Sequence, residues 1–435
     1  MTAIIITSIF STIPMVLIWP HVGILVWFWI GLMNPHRLAW GAASEMSVAF
    51  YMGIVTLGAW LFSREPKKIP VTAVTVLLGL LTVWITVSTT FAMVPDNAWP
   101  EWNRDVKILA MTLVTIAIMA TRERIHALVW MMVVCLGFYS VKGGLFTILG
   151  GAENRVWGPR GSFIEDNNQL AMALLMVLPF MRYLQLQSES RYIRLGLLAA
   201  TAMTVFSIIG SQSRGAFLGL LVVGSALVIK SRYRLQIGTL VLVVGLVGAW
   251  FVPEHWIERM KTIETYQEDS SAEARITTWK VAFQIALRRP LTGGGFNVTE
   301  NSKIYRSIMP DASKPHSAHS VYFEVLGEHG FVGLLIFLSL GYVTWRTFGA
   351  VRKEAAGKEP LRWALDLAAM AQVSLLAYFS AGAFLNLAFF DLYYLVVALA
   401  VLLKEVVRRE GVRKHVSVAP FTAAQAIMPG IQKQS

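Results

Sequence analysis

Apolar residues along this chain come in blocks of roughly twenty, separated by short polar stretches. The blocks fall near 2–18, 22–33, 46–62, 71–93, 107–120, 127–149, 170–187, 193–212, 216–230, 236–252, 318–345, 363–384 and 386–403. About twenty apolar residues let a helix cross the hydrocarbon core while satisfying its own backbone hydrogen bonds. The pattern therefore predicts an all-α polytopic integral membrane protein with about twelve transmembrane helices. Trp19, Pro20 and His21 interrupt the first two blocks, which predicts one broken crossing or a re-entrant pair. The expected division is 1–252, transmembrane helices with short loops; 253–317, one long loop; 318–403, C-terminal transmembrane helices; and 404–435, a basic tail. No basic region precedes the first apolar run, so no cleavable signal peptide is expected.

Composition narrows the class. Of 435 residues, 55% are hydrophobic and only 15% charged, against about 25% charged in soluble domains. The mean hydropathy is +0.57. A soluble enzyme, a disordered chain and a disulfide scaffold are excluded, the last because Cys135 is the single cysteine. The net charge of +12 has a topological explanation. One set of alternate loops, with the C-terminal tail, holds 21 of the Lys and Arg residues and seven acids, among them Arg64, Arg122, Arg191, Arg232, Arg352 and Arg408. By the positive-inside rule these loops and the tail are cytoplasmic. No nucleic-acid partner is needed to explain the charge.

The remaining loops then face outward: 94–106, 150–169, the Ser213-Arg214-Gly215 turn and the long loop 253–317. Within the long loop, 271–289 reads as a helix. Ser270 and Glu273 form a capping-box pattern, and Ile276, Trp279, Phe283 and Ala286 recur at helical spacing. Arg275 is placed in its first turn, one turn before Trp279, and Pro290 ends it. Where the chain re-enters the membrane, Pro315-His316-Ser317-Ala318-His319-Ser320 puts His319 at the outer interface. A neutral imidazole there can accept a proton near neutral pH. Glu328 lies deeper in the following span, where an acid is functional or paired.

Arg214 stands among small residues between two abutting spans. The segment 154–171 adds Arg155 and Arg160, with Asn168 in an amide cluster that caps the next helix. Guanidinium forks suit phosphate, and several suit pyrophosphate. No D-x-D sequence is present to hold a divalent ion on a nucleotide-sugar, and no HExxH or paired-cysteine motif accompanies the histidines. Neither a metal nor another cofactor is expected. An outward, membrane-embedded set of arginines with a base points to a lipid-linked diphosphate.

At these residues the chain resembles the O-antigen ligase family, within the group that includes O-antigen polymerases and O-oligosaccharyltransferases. Gly161-Ser162-Phe163, Asp166-Asn167-Asn168 and Ala171 resemble its G-x-F…D-P-N-x-x-A segment, with Asn167 in place of proline. Ser213-Arg214-Gly215-Ala216 resembles its S-R-G-A. Arg275 and Trp279, then Pro290-Leu291 and Gly293-Gly294-Gly295, resemble its R-x-x-x-W…P-L-x-G-x-G. His319-Ser320-x-Tyr322 with Leu326, Glu328, Gly330 and Gly333 resembles its H-N-x-Y-L…E-x-G-x-x-G, with Ser320 for asparagine and His329 for leucine. Gly31 to Arg37 also resembles members associated with exosortase-type exopolysaccharide clusters.

The resemblance implies a GT-C-like, multi-pass glycosyltransferase of the bacterial inner membrane with a periplasmic active site. It implies an undecaprenyl-diphosphate-linked glycan as donor, a lipid A–core hydroxyl as acceptor, inversion at the anomeric carbon, and no metal or nucleotide cofactor. Arg214 and Arg275 would neutralise the diphosphate. His319 would activate or orient the acceptor. Arg155, Arg160, Asn168, Trp279 and His316 would contact diphosphate or glycan. A polymerase or a protein O-oligosaccharyltransferase using the same donor remains open, as do the glycan and the oligomeric state. A lipid-linked sugar transporter predicts midplane charges and an internal repeat, and neither is evident. A serine protease pairing Ser213 with His319 would need a G-x-S-x-G elbow, which is missing.

Overall fold

The computed structural model describes residues 2–38, 46–150, 153–230, 270–310 and 314–418. Among these, every regular element is helical. The helices are α1 (Thr2–Phe10), α2 (Ile13–Ile18), α3 (Pro20–Met33), α4 (Val48–Phe62), α5 (Ala73–Thr90), α6 (Pro95–Ile118), α7 (Arg122–Leu149), α8 (Asn167–Gln187), α9 (Arg191–Gly210), α10 (Arg214–Lys230), α11 (Ser270–Arg288), α12 (Ser302–Ile308), α13 (Val321–Ala355), α14 (Arg362–Ala381) and α15 (Asp391–Val418).

Among the described residues, six helical segments are long and apolar enough to cross a membrane: α5, α7, α8, α9, α13 and Glu359–Phe384, which contains α14. Four shorter apolar stretches, Ile6–Ile18, α3, α4 and Arg214–Ile229, accompany them. Against the expected count of about twelve, the described residues hold these six helices of sufficient length and four shorter apolar stretches. The block at 236–252 and the loop residues 253–269 lie outside the described residues. Near the N-terminus the helix breaks at Trp19, where Pro20 opens α3, and also between α1 and α2 at Ser11 and Thr12.

One expectation is corrected outright. The stretch 94–106 is not a loop, because α6 begins at Pro95 and runs through it. Its polar residues satisfy one another: Arg104 forms ion pairs with Glu101 and Asp105. Trp102 donates its indole N–H to Thr86 Oγ1 (2.9 Å) and packs edge-on against Trp99. Side chains paired in this way do not force the backbone out of a helix.

Two helices form the centre. Residues 170–181 of α8 are buried without interruption, as are 387–403 leading into and along α15. Helices apolar on all sides belong inside a bundle. α7 and α9 approach closely through glycines: a methyl on Gly144 would collide with the Met203 carbonyl, and one on Gly210 with Thr147. Small residues allow such contact between membrane helices.

The ends of the bundle differ. At one end Arg124 pairs with Glu65 (Nη1 to Oε2, 3.0 Å), Arg122 lies over Trp363 (5.3 Å), and Gln187 donates to Asp366 (3.0 Å). Loops assigned to the basic face by charge therefore meet there. The 28-residue α7 spans about 42 Å at 1.5 Å per residue. The far ends of α7 and α8 lead to the loops that the charge pattern assigns to the opposite face.

α13 is broken at Gly330, whose φ of 70° and ψ of −172° lie outside the helical region. The carbonyls released by the break find donors. Gly294 N–H bonds Gly327 O (2.9 Å), Gly295 N–H bonds Glu328 O (2.9 Å), and Trp84 Nε1–H bonds His329 O (3.0 Å). Irregular backbone inside a membrane bundle needs such protein partners. The glycine run after α11 thus docks the long loop onto α13.

Candidate active site

The connection from α9 to α10 sets the geometry. Gly210 ends α9, and α10 begins at Arg214. Between them Gln212 has a φ of 54°, a left-handed conformation uncommon for a residue with a Cβ. Ser213 Oγ accepts the Ala216 N–H (3.2 Å) and caps α10. The turn, residues 211–213, sits two residues earlier than the Ser213-Arg214-Gly215 turn expected from sequence, so Arg214 is the first residue of the helix.

The loop before α8 locks onto this turn. Val156 N–H bonds Gly210 O (3.0 Å), and Asn167 Nδ2 bonds Ser211 O (2.6 Å). Arg155 Nε donates to Gln212 Oε1 (3.3 Å). Asp166 caps α8, accepting the Asn168 N–H (2.9 Å) and Asn168 Nδ2–H (2.8 Å). The N-termini of α8 and α10 are thereby held side by side.

A cavity of about 50 Å³ opens between them. Arg155, Arg214 and Arg275 line it, with Asn167, Asn168 and Gln212. Ser213 and Gly215 complete the turn wall, and Phe384 closes the apolar side. A water needs about 10–15 Å³ on this measure, so the space suits a few oxygen-sized groups and not a sugar ring. Helix N-termini present N–H groups and positive potential, and together with guanidinium groups they favour an anion.

Arg275 comes from α11, observed at Ser270–Arg288 against the expected 271–289. Because Ser270 is already helical, Arg275 lies in the second turn and not the first. Trp279 does not line the cavity. Its indole donates to Ala318 O (2.7 Å) and its ring stacks on Phe323 (5.0 Å, 8°), tying α11 to the segment that carries His319.

His319 is partly buried and has a φ of 44°, so two of the four non-glycine residues with positive φ among the described residues, Gln212 and His319, belong to this site. Such strain persists where the surrounding structure enforces it, and it clusters at functional sites. Burial, then the charge of Arg275, hold the His319 imidazole below its ordinary pKa. Asp166 acts in the opposite sense, and His316 adds a smaller depression. His319 is thus within electrostatic reach of both Arg275 and Asp166.

Of the residues singled out by sequence, the structure brings Arg155, Asn168, Arg214 and Arg275 to one cavity, with His319 beside Arg275. Arg160 and His316 are exposed and do not line it. Glu328 is buried, with Oε1 accepting the Asn297 N–H (2.8 Å), a structural tie to the docked loop. Sequence reasoning passed over Asn167, Gln212 and Phe384. Asn167 sits inside a quoted motif and Gln212 directly before another, so both were readable as polar wall residues, whereas Phe384 carried no signal. Arg37 was also missed as a neighbour: a Cβ on Gly161 would stand 3.0 Å from its Nη1. No cluster of three or more His, Cys, Asp or Glu arranged for a metal occurs among the described residues.

The apolar helices and the cavity describe a multi-pass helical membrane protein with an arginine-lined cavity at one end of its bundle. Residues 198–338, which carry Arg214, Arg275 and His319, match the O-antigen ligase family model. Residues 1–189 match a family of unknown function, DUF5935. A Salmonella typhimurium (strain LT2) protein described as an O-antigen ligase is 26% identical over 179 residues, which is 38% of this chain and 41% of that protein. The match therefore spans less than half of the relative.

Proposed function

We propose that this protein is an O-antigen ligase. It moves a glycan from undecaprenyl diphosphate to a hydroxyl of lipid A–core, without a metal and with inversion. The carrying observation is the convergence of Arg155, Arg214 and Arg275 on one cavity at two helix N-termini, with His319 beside Arg275. The site faces the periplasm, because the loops rich in Lys and Arg meet at the other end of the bundle.

In the proposed reaction His319 takes the proton of the acceptor hydroxyl. The oxygen attacks the anomeric carbon opposite the diphosphate. The glycosidic C–O bond breaks, and its electron pair leaves on the diphosphate oxygen. Charge grows on that oxygen in the transition state, where fixed cations lower the barrier. Removing one such group costs about 10²–10³ in rate. A positioned base contributes about 10²–10⁴. The small cavity receives the phosphoryl groups, while the glycan and polyprenyl chain extend out of it.

Transfer from a defined undecaprenyl-diphosphate glycan to purified lipid A–core, by the full chain in nanodiscs, tests the reading. Formation of the acceptor-linked glycan supports it. A product joined only to another glycan or to a protein would replace ligase with polymerase or protein glycosyltransferase. Failure to transfer to any acceptor would remove the reading.

A further inference from the structure

A second polar cluster lies on the same side of the bundle as the arginine cavity, with a different charge balance. Arg104 on α6 donates from Nε to Asp105 Oδ1 (2.7 Å) and from Nη2 to Oδ2 (3.3 Å), and it also pairs with Glu101. Its guanidinium carbon stands 4.8 Å from the centroid of the Phe163 ring. Phe163 belongs to the loop that ends at Asp166, the cap of α8. Despite these contacts the Arg104 side chain is 45% exposed, so the cluster opens to the outside.

The other wall is α13. Glu324 lies in its first turn, just beyond His319, and is only partly buried. Glu324 Oε2 accepts the Ala388 N–H (3.3 Å), and its charge is within reach of Arg104. Asp391, at the start of α15, is 4% exposed, and its Oδ1 has no hydrogen-bond partner among the described residues. Asp391 interacts electrostatically with Asp105 and Arg104, which places it in the same cluster.

Four carboxyl groups, Glu101, Asp105, Glu324 and Asp391, therefore lie around one guanidinium. That leaves no surplus positive charge for a phosphate. Nor are the carboxyl groups arranged as a metal site among the described residues. A neutral polyhydroxyl compound fits: hydroxyls donate to carboxylates and accept from the guanidinium N–H groups left over from the ion pairs. An unmet buried carboxylate oxygen is costly and is a ready acceptor for such a donor.

We propose that Glu101, Arg104 and Glu324 form a saccharide-binding subsite next to the arginine cavity, and that it holds the sugar bearing the acceptor hydroxyl. This rests on the ligase reading. His319 is within electrostatic reach of Arg275, and it immediately precedes the helix whose first turn carries Glu324. Displacement at an anomeric carbon places acceptor and leaving group on opposite sides. A saccharide in the carboxyl cluster and a diphosphate in the arginine cavity would give acceptor and leaving group separate binding sites, as that displacement requires.

Saturation-transfer NMR on the full chain in nanodiscs, with the phosphate-free oligosaccharide released from lipid A–core as probe, reads saccharide binding without transfer. Binding of undecaprenyl diphosphate is titrated in parallel. Glu324→Gln keeps an oxygen for Ala388. Arg104→Lys keeps the positive charge that buried Asp105 needs while losing the fork. Each variant is expected to weaken saccharide binding by about tenfold and to leave diphosphate binding within about twofold of wild type. Arg214→Ala should show the reverse pattern. Wild-type saccharide binding in Glu324→Gln overturns the proposal, as does parallel loss of both ligands in a folded variant. If Arg104→Lys does not fold, Glu324→Gln decides alone. Wild-type protein that binds the oligosaccharide but transfers to no acceptor removes the ligase reading and leaves the subsite standing. Absence of wild-type saccharide binding removes the subsite whatever the transfer assay shows.

Discussion

Trp279 donates its indole N–H to the carbonyl of Ala318, the residue immediately before His319, at 2.7 Å. One side chain of α11 thus fixes the segment that carries the proposed base, on the same helix that delivers Arg275 one turn earlier. Trp279→Phe keeps the ring against Phe323 and removes the donor. The lost hydrogen bond costs about 0.5–1.5 kcal/mol of stability. Displacing the imidazole slightly costs more in rate, about ten- to a hundredfold in turnover. Glycan-transfer kinetics alongside a melting curve checks this: unchanged turnover would show that the indole only packs.

The diphosphate role of the cavity predicts a graded response. Arg214→Ala and Arg275→Ala each lower transfer by about 10²–10³. The corresponding lysine variants recover only part of this, because a lysine is a point charge without the planar fork. Competition by inorganic diphosphate reads the cavity directly and should weaken in the same order. Wild-type inhibition in both alanine variants would end the assignment.

His319 predicts a pH profile whose sign follows from its surroundings. Burial and Arg275 lower its pKa below the ordinary value near 6.5, so the proton-accepting form predominates at neutral pH. Transfer should rise with pH through a midpoint below 6.5 and stay flat above it. Arg275→Gln removes a depressing charge and moves that midpoint up, and Asp166→Asn removes a raising one and moves it down. Midpoints are read on normalised curves, apart from the loss in maximal rate. His319→Ala should abolish transfer with normal insertion and folding, and an unshifted acid limb in Arg275→Gln would separate the limb from His319.

The sequence carried much of this site because the chemistry is local in the chain. Arg214 follows a short turn between two apolar helices, and His319 stands just before the start of another. Either could be placed at a membrane edge from periodicity alone. α6 was not legible from Pro95 to Val106, since Glu101, Arg104 and Asp105 look like a solvated loop until they are seen paired with one another. The roles of Trp279 and Glu328 were also hidden, because each bonds a backbone group 31 or more positions away. The approach of Arg37 to Gly161 is set by packing between distant segments and leaves no local pattern.

Metal independence is expected from the chemistry of the cavity, where fixed guanidinium groups occupy the role that a divalent ion has in nucleotide-sugar transferases. Transfer should be unchanged after exhaustive EDTA treatment. Loss of activity restored by Mg²⁺ or Mn²⁺ would require a ligand set among residues not assigned to the site here.

The break in α13 gives the last test. Gly330 has a φ of 70° and a ψ of −172°, a region essentially reserved for glycine. A methyl there would also collide with the Leu291 carbonyl oxygen. Gly330→Ala should therefore cost at least about 1–3 kcal/mol from backbone strain alone. It should also push the Pro290–Gly295 segment off the carbonyls of Gly327 and Glu328, leaving them unsatisfied inside the bundle. That segment follows α11 directly, so the variant loses transfer by shifting Arg275 and Trp279 even in the fraction that folds. Differential scanning fluorimetry reads the first effect and diphosphate titration the second. A variant that melts like wild type would mean that the break can be relieved by a straight helix, and that docking of the long loop does not depend on it.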